Sequence, residues 1–448
     1  MFNIFNVLLQ ITPVPRNIPL PLPLPEWLLV FLLVFSFLLH IIFVNLMIGG
    51  TVLTLWCQIK GLKDKDYHNL AHEISRTITV NKSLAVVLGI APLLSISTLY
   101  ALYFYSATSL TGGMWIAIIP LVTVAFLLTY LNKYTWKVLD SNKPLSIAII
   151  AAATLLFLFI PLIFLVNVNL MLFPEKWGLI KGFFSALLLP NVLPRYFHFL
   201  CASMAVTGLF IFWYFGRKSY PFEEYFERLT RYDIQKKAYS LTLAASVAQF
   251  IIGPLVMLTL PTKGFNWSLI LIILAGAAIA LPAMWWIWKS ITGAPEDIAK
   301  HFWKVVAALS ITVIFMGSGR HVYRATALAP HQKLVEIQSA EFERLSKEAR
   351  EHPTEEKVEL KLDTSLGNVA KGAAIFQQNC SSCHKKDEKL VGPPMTEMVS
   401  IYKNNPDGLK AWIKKPGKKR EGYPQMPTLT QLTDDDRNEL AKYILSIK

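Results

Sequence analysis

Apolar residues run in long blocks through the first three quarters of the chain, and short polar segments separate these blocks. Eight blocks are about 20 residues or longer, the length that a helix needs to cross ~30 Å of hydrocarbon. They lie near 27–58, 83–107, 114–131, 146–173, 195–216, 238–260, 267–288 and 303–328. A further apolar stretch, 177–190, lies between two prolines and predicts an interfacial helix. The pattern predicts an all-α, polytopic transmembrane bundle of about eight spans.

The polarity changes abruptly after Pro330, where charged residues replace the apolar blocks. The chain is therefore divided into an N-terminal segment (1–26), a membrane domain (27–330), a helical linker (331–365) and a small all-α domain (366–448). The first segment carries no secretory signal, and its Pro-Leu repeat favours an extended conformation.

Composition agrees with a membrane protein, because 53% of the residues are hydrophobic and 17% are charged, against about 25% charged in soluble proteins. The net charge of +14 does not require a nucleic acid partner, since Lys and Arg accumulate in cytoplasmic loops. The loops that follow the first, third, fifth and seventh spans hold 17 Lys and Arg residues, whereas the loops that follow the second, fourth and sixth spans hold 4. We expect both termini on the outer side of a bacterial inner membrane, and the 1–26 segment in the periplasm.

The sequence Cys380-Ser381-Ser382-Cys383-His384 is the signature of covalent c-type haem attachment. Two thiols at this spacing form thioethers to the haem vinyl groups, and the adjacent His binds the iron. A redox thiol pair or half of a zinc site would not account for the His, and no second C-x-x-C is present to complete a zinc site.

The residues around the motif resemble class I cytochromes c. A predicted helix leads into the motif, and Pro393 follows at the distance where this class braces the proximal His. Met426, which precedes the last predicted helix, is expected to be the second axial ligand. Met395 and Met398 are alternatives, but they lie close behind His384 and are expected to line the haem pocket.

Three histidines lie within the predicted spans, and ionisable groups in a membrane are functional candidates by default. They are His40, His198 and His321, all in the outer half of the predicted bundle. A neutral His bonded across helices is the alternative for each. Arginines at similar depths are candidate partners of haem propionates, namely Arg195, Arg320 and Arg324.

Three short segments resemble the first subunit of cytochrome bd-type oxidases: Leu38–Val44, Leu193–Leu200 and Gly319–Tyr323. The resemblance implies that His40 serves the oxygen-reducing haem pair and that His198 binds the low-spin b haem.

The chain also departs from this family. The stretch Trp115–Tyr134 lacks the glutamates of the family's third span. The family also carries a glutamate ahead of its Gly-Arg sequence, which here is Gly319-Arg320. Phe315–Ser318 replaces that glutamate, and His321 could take over as ligand. Met257 is a possible substitute for the family's methionine ligand. The loop Pro261–Asn266 is too short to form the family's quinol site.

These features predict an oxidoreductase subunit that transfers electrons between one or more b haems in the membrane and one covalent c haem outside. A terminal oxidase, which would carry haem d or a high-spin b haem, is one alternative, and the missing glutamates disfavour it. A haem-free anchor for a tethered cytochrome c is the other. Expected partners are lipid, other membrane subunits of a respiratory complex and a periplasmic cytochrome or redox carrier, but not nucleic acid.

Overall fold

The computed structural model describes residues 22–351, 369–417, 423, 425–429 and 431–447, and no residue in these ranges lies in a strand. The prediction of an all-α fold is thus confirmed. Residues 1–21 of the predicted N-terminal segment, 352–365 of the predicted linker and 366–368 of the predicted small domain lie outside the described residues. The chain divides into two compact units, Met1–Phe342 and Glu343–Lys448.

The first unit contains the membrane helices and the short helices that connect them. These are α1 (Glu26–Lys60), α2 (Lys65–Leu99), α3 (Ala101–Thr111), α4 (Gly113–Tyr134), α5 (Lys143–Leu170), α6 (Phe183–Leu187), α7 (Val192–Gly216), α8 (Phe222–Tyr225), α9 (Arg231–Leu258), α10 (Trp267–Thr292) and α11 (Phe302–Glu351). Seven helices of the described residues are long and apolar enough to cross a membrane, and the bent pair formed by α2 and α3 makes up to eight. The prediction of about eight spans is therefore confirmed.

The prediction of one continuous helix over 83–107 is wrong, because the chain bends by 110° between α2 and α3. Tyr100 has φ −125° and ψ 39°, which ends the helix. Its buried ring lies beside the guanidinium of Arg324, 5.4 Å from the ring centroid. The bend therefore lies in contact with α11.

The sequence analysis predicted one interfacial helix over 177–190. The chain instead forms a 3₁₀ turn (Pro174–Leu179) followed by the five-residue helix α6. Gly182 separates the two with φ +123°, a conformation that glycine adopts readily. The indole nitrogen of Trp177 donates to the carbonyl oxygen of Leu170 at 3.1 Å and holds the turn against the end of α5.

Helix α11 is continuous through Pro330, where the sequence analysis placed a domain boundary. Strong helix formers such as Leu334 and Glu336 follow the proline, so the helix propagates beyond it. The last predicted span and the start of the predicted linker are therefore one helix.

The membrane helices approach one another closely at small residues, as is common in lipid. A Cβ at Gly208 of α7 would overlap the Thr242 side chain of α9. Farther along, the ring of Phe212 stacks between Tyr239 (3.9 Å between centroids) and Phe302 (4.9 Å). These contacts join α7, α9 and α11 into one core.

The described helices of the second unit are α12 (Val369–Asn379), α13 (Met395–Tyr402), α14 (Pro406–Lys414) and α15 (Asp434–Ser446). The last one starts with a capping box, in which the Thr433 hydroxyl accepts from the N–H of Asp436 and the Asp436 carboxylate accepts from the N–H of Thr433. Helix α12 packs on α15 at Gly372, where a Cβ would overlap the Glu439 carbonyl and the Tyr443 side chain.

Candidate haem sites

The C-x-x-C-H motif forms a compact turn at the end of α12. The N–H of Cys380 donates to the carbonyl oxygen of Phe376 at 2.8 Å, so the turn continues directly from the helix. The N–H groups of Cys383 and His384 donate to the carbonyl oxygen of Cys380 at 3.1 and 2.9 Å. The local sequence therefore brings both thiols and the imidazole into one short segment, as attachment of a single haem requires.

The ring of His384 is oriented by the segment that follows the motif. Its Nδ1 donates to the carbonyl oxygen of Pro393 at 2.7 Å, since a carbonyl can only accept. Gly392 donates from its N–H to the carbonyl oxygen of Cys383 at 2.8 Å, and a Cβ at Gly392 would overlap the imidazole. The bond at Nδ1 leaves Nε2 available for a metal, which is the usual arrangement of a ligating histidine.

The Cys380 thiol has the properties of an attachment site more than those of a redox pair. Burial, together with the neighbouring Cys383, raises the pKa of the Cys380 thiol to about 11. Redox-active pairs have the opposite shift, because their nucleophilic thiol is stabilised as the thiolate. The residues of the turn fit a covalent haem.

Three methionines of this unit are candidates for the second axial ligand. Met395 opens α13 and is buried in the core of the unit, and Met398 packs at the edge of that core. Met426 lies in the non-helical stretch 425–429 and is half-buried. The sixth-ligand role of Met426 stays a prediction.

His40 of α1 faces α2. Its Nδ1 donates to the carbonyl oxygen of Ala85 at 2.8 Å, so Nε2 is available to a metal, as in His384. Gly89 lies one turn farther along α2, and a Cβ there would come within 2.9 Å of the His40 ring. The glycine thus provides the space that the imidazole occupies.

His198 of α7 faces α9 instead. Its Nε2 lies 3.4 Å from the side-chain nitrogen of Gln249, and its Nδ1 is buried with no hydrogen-bond partner among the described residues. Gly253 lies one turn beyond Gln249, and a Cβ added there would be 4.0 Å from the His198 ring. Met257 is a further turn along α9, near Asn191, whose side chain donates to the carbonyl oxygen of Val256 at 2.7 Å. The ligand role of Met257 stays a prediction.

Three arginines lie close to His198 and His321. Arg195 precedes His198 by one turn of α7, and Arg320 and Arg324 flank His321 on α11; the three guanidinium groups lie close enough to repel one another. Arg320 is stacked over the ring of Phe37 at 5.0 Å. None of the three forms an ion pair with a carboxylate of the described residues, and the Nε of Arg320 and the Nδ1 of His321 have no hydrogen-bond partner there.

Arg324 is buried and the other two arginines are partly buried between the membrane helices, and such a cluster without carboxylates is expensive unless an anion compensates it. The two propionates of a haem are such anions, so the residues of this region fit a membrane haem. Sequence reasoning found the histidines and arginines but missed Gln249, Gly89 and the rings of Phe37 and Tyr100. Other glycines and aromatic residues occur along the spans, so only the packing distinguishes these residues from the others.

Comparison with known proteins identifies the second unit. Residues 369–448 match the family model of cytochrome c. Cytochrome c6 of Cyanidioschyzon merolae is 29% identical over 80 residues, which are 18% of this chain and 74% of that protein. Cytochrome c6 of Cyanidium caldarium is 29% identical over 80 residues, and the match covers 71% of that protein.

Cytochrome c oxidase subunit 2 of Bacillus sp. (strain PS3) is 28% identical over 94 residues, and the chain spans about a quarter (26%) of its length. The residues matched by the family model, 369–448, include the turn around His384. The chain is a helical protein with several candidate membrane spans and a C-terminal cytochrome c domain, which implies electron transfer by haem.

Proposed function

We propose that this chain is the membrane-bound electron-transfer subunit of a respiratory complex. It carries b haem between its membrane helices and one c haem in its C-terminal domain, and it passes electrons between them and an external carrier. A haem supplies reversible one-electron chemistry at its iron. The chain supplies the ligands, the compensating charges and an environment without bulk water.

The arginine cluster carries this proposal. Arg195, Arg320 and Arg324 have no carboxylate partner among the described residues, yet they lie between apolar helices next to His198 and His321. A purely mechanical anchor has no use for three such charges, because each of them costs free energy in a membrane. Charge-assisted bonds to propionates would compensate that cost.

The histidines support more than one haem position. His40 contacts α2 and His198 contacts α9, and these different contacts favour separate haem positions over one iron held between the two. We assign His198 to a b haem whose propionates pair with the arginine cluster. We assign His40, with its free Nε2, to a second position in the membrane.

The distribution of Lys and Arg favours a cytochrome c domain outside the cytoplasm, where covalent haem attachment takes place. The similarity of that domain to part of a cytochrome c oxidase subunit 2 favours a respiratory complex. Its similarity to cytochromes c6 favours exchange with a small redox carrier.

A haem count on the purified full-length protein tests the proposal. We expect a pyridine haemochrome spectrum with one haem c and at least one haem b per chain, both reducible by dithionite. The double variant Cys380→Ala/Cys383→Ala serves as the matched control and should keep the b haem while losing the c haem. Haem c without haem b would contradict the proposal and indicate an anchor. A red-shifted d band, or a high-spin b haem that binds carbon monoxide, would indicate the oxidase instead.

A further inference from the structure

A groove lies where two loops meet at one end of the membrane helices. The loop between α1 and α2 (61–64) forms one wall and the loop between α4 and α5 (135–142) forms the other, and the groove has a volume of about 580 Å³. Its floor contains Trp136, which is 8% exposed because His68 and His72 pack on it with ring centroids 5.0 and 4.8 Å away. The floor is therefore rigid.

The walls of the groove carry unpaired positive charge. Lys63, Lys137 and Lys143 line it, and none of them forms an ion pair with a carboxylate of the described residues. The two acids of the lining are already engaged. Asp140 contacts the Nε2 of His68 at 3.3 Å, and Asp64 accepts from the N–H of Asp66 at 3.0 Å.

The groove lies at the level where a membrane helix leaves the hydrocarbon. Helix α1 ends at Lys60 and α5 begins at Lys143, so the three lysines stand at the ends of the spans. Exposed apolar side chains adjoin them, among which Tyr134 is 74% exposed and Val138 is 73% exposed. Cationic side chains above an exposed apolar surface match the two parts of a phospholipid.

We propose that this groove binds the phosphate group of an anionic phospholipid, with the acyl chains lying along the exposed apolar side chains at Tyr134 and Val138. The three lysines bind the phosphate, and the buried Trp136, packed by His68 and His72, forms the floor beneath it. The lipid joins the α1–α2 hairpin to the α4–α5 hairpin at this end of the bundle. A soluble phosphate ion offers the same charge but has no chains for the apolar surface.

Lipid titration of the full-length, delipidated protein in detergent tests the proposal, with dioleoyl phosphatidylglycerol as the probe and native mass spectrometry as the readout. The variant Lys63→Gln/Lys137→Gln/Lys143→Gln should raise the Kd about 100-fold, since each lysine near an anionic surface contributes about fivefold. The matched control is Lys218→Gln/Lys289→Gln/Lys304→Gln, which removes three charges from other helix ends and loops at the same end of the spans. The corresponding triple Lys→Arg variant keeps the charge and should keep the affinity.

Several results would overturn the proposal. Equal weakening in the control variant would mean that the net charge of this end, and not the groove, attracts the lipid. An unchanged Kd in the groove variant, or equal affinity for dioleoyl phosphatidylcholine, would also exclude it. If inorganic phosphate competes with the probe at equal concentration, the groove binds a soluble anion and not a lipid. Haem c content and melting temperature, measured on each variant, separate loss of binding from loss of folding.

Discussion

The hydroxyl of Ser203 donates a hydrogen bond of 2.9 Å to the side-chain oxygen of Asn45, and this bond links two parallel helices, α1 and α7. His40 lies five residues before Asn45 on α1, and His198 lies five residues before Ser203 on α7. The two histidines therefore lie at the same depth. Five residues turn a helix by about 140° from the contact side. Each ring accordingly contacts a different neighbour, Ala85 of α2 or Gln249 of α9. The structure thus separates two histidine positions that the sequence could not relate to each other.

The thiols of the haem-attachment turn give the first prediction. Cys380→Ala/Cys383→Ala should abolish the covalent haem band on a haem-stained denaturing gel, because no thioether can form, while membrane insertion is retained. Cys201→Ala removes a thiol from α7 and is the matched control, which should keep the full band. A double variant that stains as strongly as the control would exclude covalent attachment at this turn.

The second prediction concerns the ligand opposite His384. Met426→His should retain the haem but lower its reduction potential by a large part of the ~0.8 V range that axial ligands set, because a thioether favours ferrous iron more than imidazole does. Spectroelectrochemical titration of the c band measures the shift. The control is Met395→His, which should leave the potential of a folded protein nearly unchanged. The reverse result would assign Met395 as the ligand.

The sequence predicted much of the cytochrome c domain, because the chemistry of haem attachment fixes residue types at fixed spacing. It predicted the number of spans from apolar length, since each span must cross the same hydrocarbon thickness. It missed the bend at Tyr100, which lies against Arg324, a residue far away in the chain. It also missed Gln249 and Gly89, because the neighbours of a membrane histidine are set by helix packing and not by local pattern.

The contact between α12 and α15 gives a prediction of stability. Gly372→Ala should destabilise the cytochrome c domain by about 1–3 kcal/mol, as overpacking does, since the new Cβ would overlap the Glu439 carbonyl and the Tyr443 side chain. Thermal unfolding followed by the Soret signal measures the change. Gly417→Ala is the matched control, because its Cβ would meet Trp412 at an ordinary 3.7 Å. Equal melting temperatures for the two variants would contradict this account of the packing.

The capping box of α15 gives a pH-dependent prediction. Hydrogen bonds from the Thr433 side chain and N–H, with an ion pair to Lys371, hold the pKa of the Asp436 carboxyl below its ordinary value of 3.8. A lowered folded-state pKa means that its stabilisation is fully present above about pH 4 and is lost as the pH falls through the folded pKa. Asp436→Asn should therefore cost about 1 kcal/mol near pH 7, the usual contribution of a cap, and progressively less in acid.

Guanidinium chloride unfolding of the domain in the full-length protein, at neutral and acidic pH, measures this difference. Asp435→Asn is the matched control, because Asp435 is exposed next to the capping box. If Asp436→Asn and Asp435→Asn have the same effect at every pH, the carboxylate of Asp436 does not stabilise the helix start.

The last prediction concerns the separate positions of His40 and His198. His198→Asn keeps polarity and approximate size but offers iron a far poorer ligand than imidazole. We expect the b-type signal of the purified protein to fall by about one haem per chain, while the c-type signal persists. His40→Asn should remove a different b-type or high-spin component, because its ring contacts α2 and not α9. The double variant should show the sum of both losses.

His301→Asn is the matched control, since His301 lies just before α11 and stacks on Trp286 away from both positions. Reduced-minus-oxidised spectra and pyridine haemochrome assays on all four proteins, normalised to haem c, measure the losses. If His198→Asn retains the full b-haem content with normal expression, His198 is no iron ligand, and the arginines beside it need another anion. If both single variants remove the same spectral component, His40 and His198 act on one haem, and the assignment of two positions from the Asn45–Ser203 geometry is wrong.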